Sequence, residues 1–174
     1  SGYGLWPYSY YARIIETLDK GGPTTIGMDF MYTVSIDTSG WKNLTKMMLK
    51  TENTINPYLV ITSDDLDERL NSKKYKNVLD QLKYDRLPKV SKGVVPHVVD
   101  IPYKSGGMKD DFMNASLGIG FVNIEPDPDG ILRRLPIISE VNGMLAPHFF
   151  LRLLSEHVGY ELSQLELIDN HKLI

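Results

Sequence analysis

Glu125, Asp127 and Asp129 stand at alternate positions ahead of Gly130, and Arg133 and Arg134 follow closely. Alternating carboxylates before a glycine are what the first half of an EF-hand calcium loop supplies. The second half fails, because the position that needs a bidentate glutamate is Pro136 and the two arginines put positive charge beside any cation. A charge-stitched turn accounts for the same residues: Asp127 or Asp129 accepts bonds from turn amides. One of Arg133 and Arg134, which a strand points to opposite faces, pairs with a carboxylate. No metal is expected here.

Asp29 is the other isolated charge. It interrupts the short apolar run Thr24 to Tyr32, and an ionised carboxylate near a buried strand is costly unless it is paired or lies where the strand ends. Ligands of α/β sheets gather beyond the carboxyl ends of the strands, which makes Asp29 a ligand-site candidate. A salt bridge to an arginine, or a cap on a neighbouring loop, is the structural alternative. Trp6, Tyr8, Tyr10 and Tyr11 form an aromatic cluster that could stack on a ligand or anchor the first helix.

No catalytic constellation emerges. Gly118-x-Gly120 lies inside a strand pattern rather than between strand and helix, so it lacks the setting of a phosphate loop. There is no G-x-S-x-G elbow and no Walker lysine. His97, His148, His157 and His171 show no metal spacing and read as surface or packed histidines. No cofactor is expected.

The elements that must position these residues follow from the apolar pattern. Tyr11, Ile14, Ile15 and Leu18 mark one face of a helix from Tyr10 to Lys20, with Ser9 as a cap and Gly21-Gly22 as its stop. The run 24–32 predicts a buried strand, and Ser39 or Thr38 caps a helix from Trp41 to about Lys50 that turns Leu44, Met47 and Met48 inward, with Leu49 a further candidate. Pro57 to Ile61 reads as a second strand, Thr62 to Arg86 as one or two amphipathic helices, and Val90 to Pro102 as a third strand. Tyr103 to Asp111 reads as a surface loop.

Two β-rich runs, Leu117 to Ile124 and Ile131 to Val141, flank Glu125-Pro126-Asp127-Pro128-Asp129-Gly130 and predict a β-hairpin. Asn142-Gly143 then turns the chain, and Pro147 stands where a helix through His148, Phe149, Leu151, Leu153 and Leu154 begins. The expected fold is a single α/β domain with a mixed sheet, helices packed on it, and a C-terminal β-hairpin followed by a helix. Ser1-Gly2 reads as an expression remnant, and Leu165 to Ile174 as a strand cut short by the chain end.

Composition agrees with one globular domain. The chain has 174 residues, 42% hydrophobic and 24% charged, ordinary usage for a folded domain. The formal charge is −3 and no run of Lys or Arg forms a phosphate-binding stripe, so no nucleic-acid partner is expected. Cysteine is absent, which removes disulfides, thiol nucleophiles and thiolate metal sites and leaves the redox compartment open. No apolar run reaches the ~18 to 20 residues that span a bilayer.

Gly120-Phe121-Val122-Asn123, then Asp127-x-Asp129-Gly130, Arg133-Arg134-x-Pro136 and Pro147 before an apolar helix resemble the signature half of a CHASE2 domain. The opening is similar to the other half, with Trp6-Pro7, Tyr11, Asp29 and Phe30 in matching positions. It departs where the family often carries a basic residue shortly after the proline: here Tyr8, Ser9 and Tyr10 occupy that region and the nearest arginine is Arg13. Between Thr33 and Met113 the resemblance is weak.

The resemblance implies a sensory module outside the cytoplasmic membrane, joined through flanking transmembrane helices to a cytoplasmic cyclase, kinase or cyclic-di-GMP enzyme and without catalysis of its own. Its partner is then a small-molecule or protein signal, and a homodimer fits the same reading. Trp6, Tyr8 and Asp29 are the candidate ligand residues. A freestanding α/β small-molecule or nucleotide-binding enzyme, and a structural or protein-interaction module, are the rival classes.

Overall fold

The computed structural model describes residues 6–30, 37–58, 89–90, 110–124, 126–141, 144–169 and 172–173. Among them are four α-helices: α1 (Tyr8–Asp19), α2 (Thr38–Thr51), α3 (Asp110–Ala115) and α4 (Phe149–Val158). The strands are β1 (Ile26–Gly27), β2 (Thr54–Tyr58), β3 (Lys89–Val90), β4 (Gly118–Phe121), β5 (Ile138–Val141), β6 (Met144–Pro147), β7 (Glu166–Asp169) and β8 (Lys172–Leu173). The expected α/β class is observed, with a hairpin and a following helix near the C-terminal end.

Three strands, in the order β1-β2-β4, form a parallel sheet. Side chains alternate between its faces. Ile26, Met28, Tyr58, Ile119 and Phe121 join the main core, with Tyr8, Tyr11, Ala12 and Ile15 of α1, Leu44 and Met48 of α2, and Phe112 and Met113 of α3. Full burial of one such aliphatic side chain contributes about 1.5 to 3 kcal/mol, so the periodic faces of α1 and α2 commit both helices to this side.

The opposite face is built for close approach. Gly27, Gly118 and Gly120 lie on it, and α4 rests against them. A Cβ at Gly27 would come within 2.8 Å of the Leu153 side chain, one at Gly118 would run into the Arg152 guanidinium, and one at Gly120 would run into the Phe149 backbone. The paired glycines of β4 thus serve helix packing.

Helix boundaries shift slightly from expectation. Pro7, not Ser9, occupies the α1 cap position without a side-chain bond. Asp37, rather than Thr38 or Ser39, caps α2, accepting the Gly40 N–H at 2.8 Å. Leu49 faces solvent while Leu44 and Met48 are fully buried. Gly22 takes φ +67 just beyond α1, a value a side chain would resist.

The predicted strand over 24–32 is much shorter, and the central strand is the reason. Ile26 donates to Asn53 and Met28 to Ile55, so the next ladder bond should run from residue 57 to the Met28 carbonyl. Residue 57 is proline and has no N–H. The Met28 carbonyl instead accepts from Phe30 N at 2.7 Å, and the chain turns away at Asp29.

The hairpin is also displaced. β4 pairs with β2 in parallel, and the antiparallel hairpin joins β5 to β6, Ile138 opposite Pro147 and Val141 opposite Met144. Residues 131–137 join no strand ladder. Pro136 removes a donor from that run, and the outer edge of β4 is met at Phe121 by His148 through a parallel bridge. The acidic turn closes on itself instead, with Asp127 N donating to Ile131 O at 3.0 Å and Gly130 N to Asp127 O at 2.7 Å.

Pro147 ends β6 rather than starting a helix, and His148 is the first residue beyond it. A second small core of Ile138, Leu151 and Leu162 ties the hairpin to α4 and the turn after it. β7 pairs with β3 in parallel and with β8 in antiparallel fashion, which places strand structure in the expected 165–174 run. The helices expected over 62–86, the Asn142-Gly143 turn, and most of the strand and loop expected over 90–111 lie outside the described residues. In 110–111 the chain is helical rather than loop.

Candidate functional site

In a parallel sheet all strands end on one edge. At that edge stand Asp29 and Phe30 after β1, Tyr58 at the end of β2, and Phe121 at the end of β4 with His148 against it. Phe30 turns to the α1 side, its ring 4.8 Å from that of Tyr11. Asp29 is exposed just beyond β1, and its charge acts on His148.

The aromatic residues make a continuous bank along the α1 side. Trp6 lies 6.3 Å from both Tyr10 and Tyr11, Tyr8 lies 5.7 Å from Trp41 and from Phe112, and Trp41 lies 4.3 Å from Phe112. The two candidates in this bank differ in access. Trp6 is 54% exposed, whereas Tyr8 is 5% exposed and forms part of the core. Burial raises the Tyr8 phenol's pKa, with smaller contributions from Tyr11 and Asp37, so it is a neutral hydroxyl. Of Trp6, Tyr8 and Asp29, the structure brings the first two into one bank through Tyr11, and Asp29 stands outside that bank just beyond β1.

His148 is the residue that sequence spacing did not single out. It is 2% exposed and caps α4: its Nδ1 accepts the Phe150 N–H at 3.2 Å. Phe121 meets its ring edge-on at 5.0 Å and Phe150 stacks on it at 5.3 Å. An Nδ1 that accepts carries no hydrogen, so in the neutral ring Nε2 holds the proton. That buried Nε2 has no hydrogen-bond partner among the described residues. Burial lowers the pKa of the ring from the ordinary histidine value, and the negative charge of Asp29 opposes this. The only sequence signal was its place between a proline and an apolar helix, and histidine is not among the usual capping residues.

The acidic turn resolves into ion pairs. Arg133 Nη1 lies 3.4 Å from Asp127 Oδ2, and Nη2 lies 2.8 Å from Asp129 Oδ2. Asp129 also accepts the Ile131 N–H at 3.1 Å. The Arg133 bond, then the backbone bond, holds the Asp129 carboxyl below its usual range, and Asp129 in turn raises Arg133. The cation at these carboxylates is a guanidinium. Arg134 is exposed. His157 meets Thr24 through Nδ1 at 3.0 Å, and His97 and His171 lie outside the described residues.

A family model described as the CHASE2 domain matches residues 2–171. The chain belongs to the CHASE2 family. CHASE2 domains are extracytoplasmic sensory domains, and the match spans the segment from Thr33 to Met113 as well as the signature half. No curated protein and no solved structure matches this CHASE2 chain. Among the described residues, no helix is long and apolar enough to cross a membrane. The residues that carried the resemblance serve the fold in distinct ways: Gly120 admits α4, and Asp127, Asp129 and Arg133 fasten the turn.

Proposed function

We propose that this CHASE2 domain is the external sensor of a membrane-anchored receptor whose cytoplasmic output is a cyclase, a kinase or a cyclic-di-GMP enzyme. The observation that carries the reading is the family match over 2–171, in a family that is sensory rather than catalytic. The domain recognises its signal at the carboxyl edge of the parallel sheet, where Trp6 offers an exposed ring and Asp29 an exposed carboxylate. Tyr8 supports Trp6 from beneath, through Tyr11. A ligand that favours one arrangement of this edge shifts the domain's equilibrium, and the chain ends pass that bias to membrane helices.

Topology tests the reading. In the full-length protein, apolar spans flank this segment and a reporter fused within it is active outside the cytoplasm. A cytoplasmic reporter signal, or a gene without such spans, contradicts the proposal.

A further inference from the structure

We infer that the proton is a signal this domain reads, through His148 at the junction of β4, β6 and α4. The inference rests on the sensor reading and specifies its input.

Three features converge on this residue. The cap on α4 exists only while Nδ1 has a free lone pair, since a doubly protonated imidazole is donor-only at both nitrogens. Protonation therefore removes the acceptor of the Phe150 N–H. It also puts a positive charge at the positive end of the helix dipole, in a site that is 2% exposed. Finally, the capped end is where the helix touches the sheet: Gly120 admits the Phe149 backbone, and Phe121 bridges to His148.

Burial and charge act on this ring in opposite directions. From the end of β1 the facing group is Asp29, whose charge favours the imidazolium. β2 contributes the buried Tyr58 phenol, which stands opposite Phe121 in the strand register. β4 and β6 bring Phe121, Ala146 and Pro147, none of which titrates. On α4 itself, Arg152 is held by Glu156 at 2.8 Å. Burial wins over Asp29, so the folded pKa lies below the ordinary value of about 6.5. Above that ordinary value the stabilisation is fully present. As pH falls from there through the folded value, the unfolded chain binds more protons and the stabilisation is lost. Acidification thus loosens the start of α4 against β4, and an extracytoplasmic domain meets external pH directly.

The test is a pH titration of the 174-residue chain by NMR, following the His148 ring and the exchange of the Phe150 amide. The expected result is a single titration of His148 below the range of free histidine, accompanied by a roughly fivefold loss of Phe150 amide protection relative to the intrinsic exchange rate at each pH, the fold-change of a lost N-cap. His148→Asn keeps a capping side chain that does not titrate, so its Phe150 exchange shows no such acid step. Asp29→Asn removes the opposing charge and moves the wild-type step to lower pH, a readout that does not depend on the His148 variant folding. A His148 that stays neutral until the whole domain unfolds, or an acid step that persists in His148→Asn, overturns the proposal. Both outcomes are read within the domain, so they leave the receptor reading intact; that reading falls on membrane topology.

Discussion

The carbonyl of Met28 faces Pro57 across the β1–β2 ladder and accepts from Phe30 instead. One missing N–H therefore ends β1 and turns the chain out of the sheet at Asp29. Pro57→Ala restores the donor. The added bond is worth about 0.5 to 1.5 kcal/mol, offset by about 0.4 to 1 kcal/mol of regained unfolded-chain entropy, so melting should barely change. The expected signature is a protected amide at residue 57, together with faster exchange at Phe30, in a hydrogen-exchange experiment. Unprotected exchange at residue 57 would contradict the ladder account.

Gly118 and Gly120 face the same helix with different consequences. At Gly120 a Cβ meets the Phe149 backbone, which cannot step aside, with Phe149 N at 2.6 Å and the His148 carbonyl carbon at 3.0 Å. Gly120→Ala should cost about 1 to 3 kcal/mol, the range of an overpacked core. At Gly118 the obstacle is the end of the Arg152 side chain, which can swing away, so Gly118→Ala should cost less. Urea unfolding of the two variants checks the order.

The acidic turn should tolerate loss of its cation. The Arg133 and Asp129 side chains are about half exposed, 51% and 52%, and solvent-exposed ion pairs contribute little. Arg133→Ala should leave the melting temperature close to wild type while the Asp129 carboxyl titrates higher. The sign follows from the depressed folded value: the pair stabilises above the unfolded carboxylate pKa, and the effect is lost as pH falls through the folded one. A pH series of melting curves, with and without Arg133, measures this directly.

Trp6 and Tyr8 should separate in a stability assay. Tyr8→Ala empties a buried ring site among Tyr11, Trp41 and Phe112 and should cost about 3 to 5 kcal/mol, as for other large core aromatics. Trp6→Ala removes a half-exposed ring and should cost well under half of that. The same substitution at Trp6 should weaken ligand binding in a native mass-spectrometry screen, because the proposed recognition edge uses its exposed face.

The helices were legible in the sequence because Ile15, Leu44 and Met48 fall on periodic faces, and periodic faces survive into the structure. The caps were less legible, since the choice among Asp37, Thr38 and Ser39 depends on where the preceding chain enters. The hairpin was misplaced because turn chemistry at 125–130 announces a turn without saying which strands it joins. β4 found its partner in β2, some sixty residues earlier in the chain, and no local pattern encodes that pairing. The candidate site was half legible: Trp6 and Asp29 drew notice by type, whereas His148 acquires its role only when β4 and α4 are brought together in space.

The central claim is that residues 2–171 sense something outside the cell membrane and control an output within. Its most direct measurement is the output activity of the full-length protein in intact spheroplasts, as the external medium is changed. Wild type should respond to the change, and deletion of residues 2–171 should abolish that response while basal output persists. A response that survives the deletion unchanged would contradict the account.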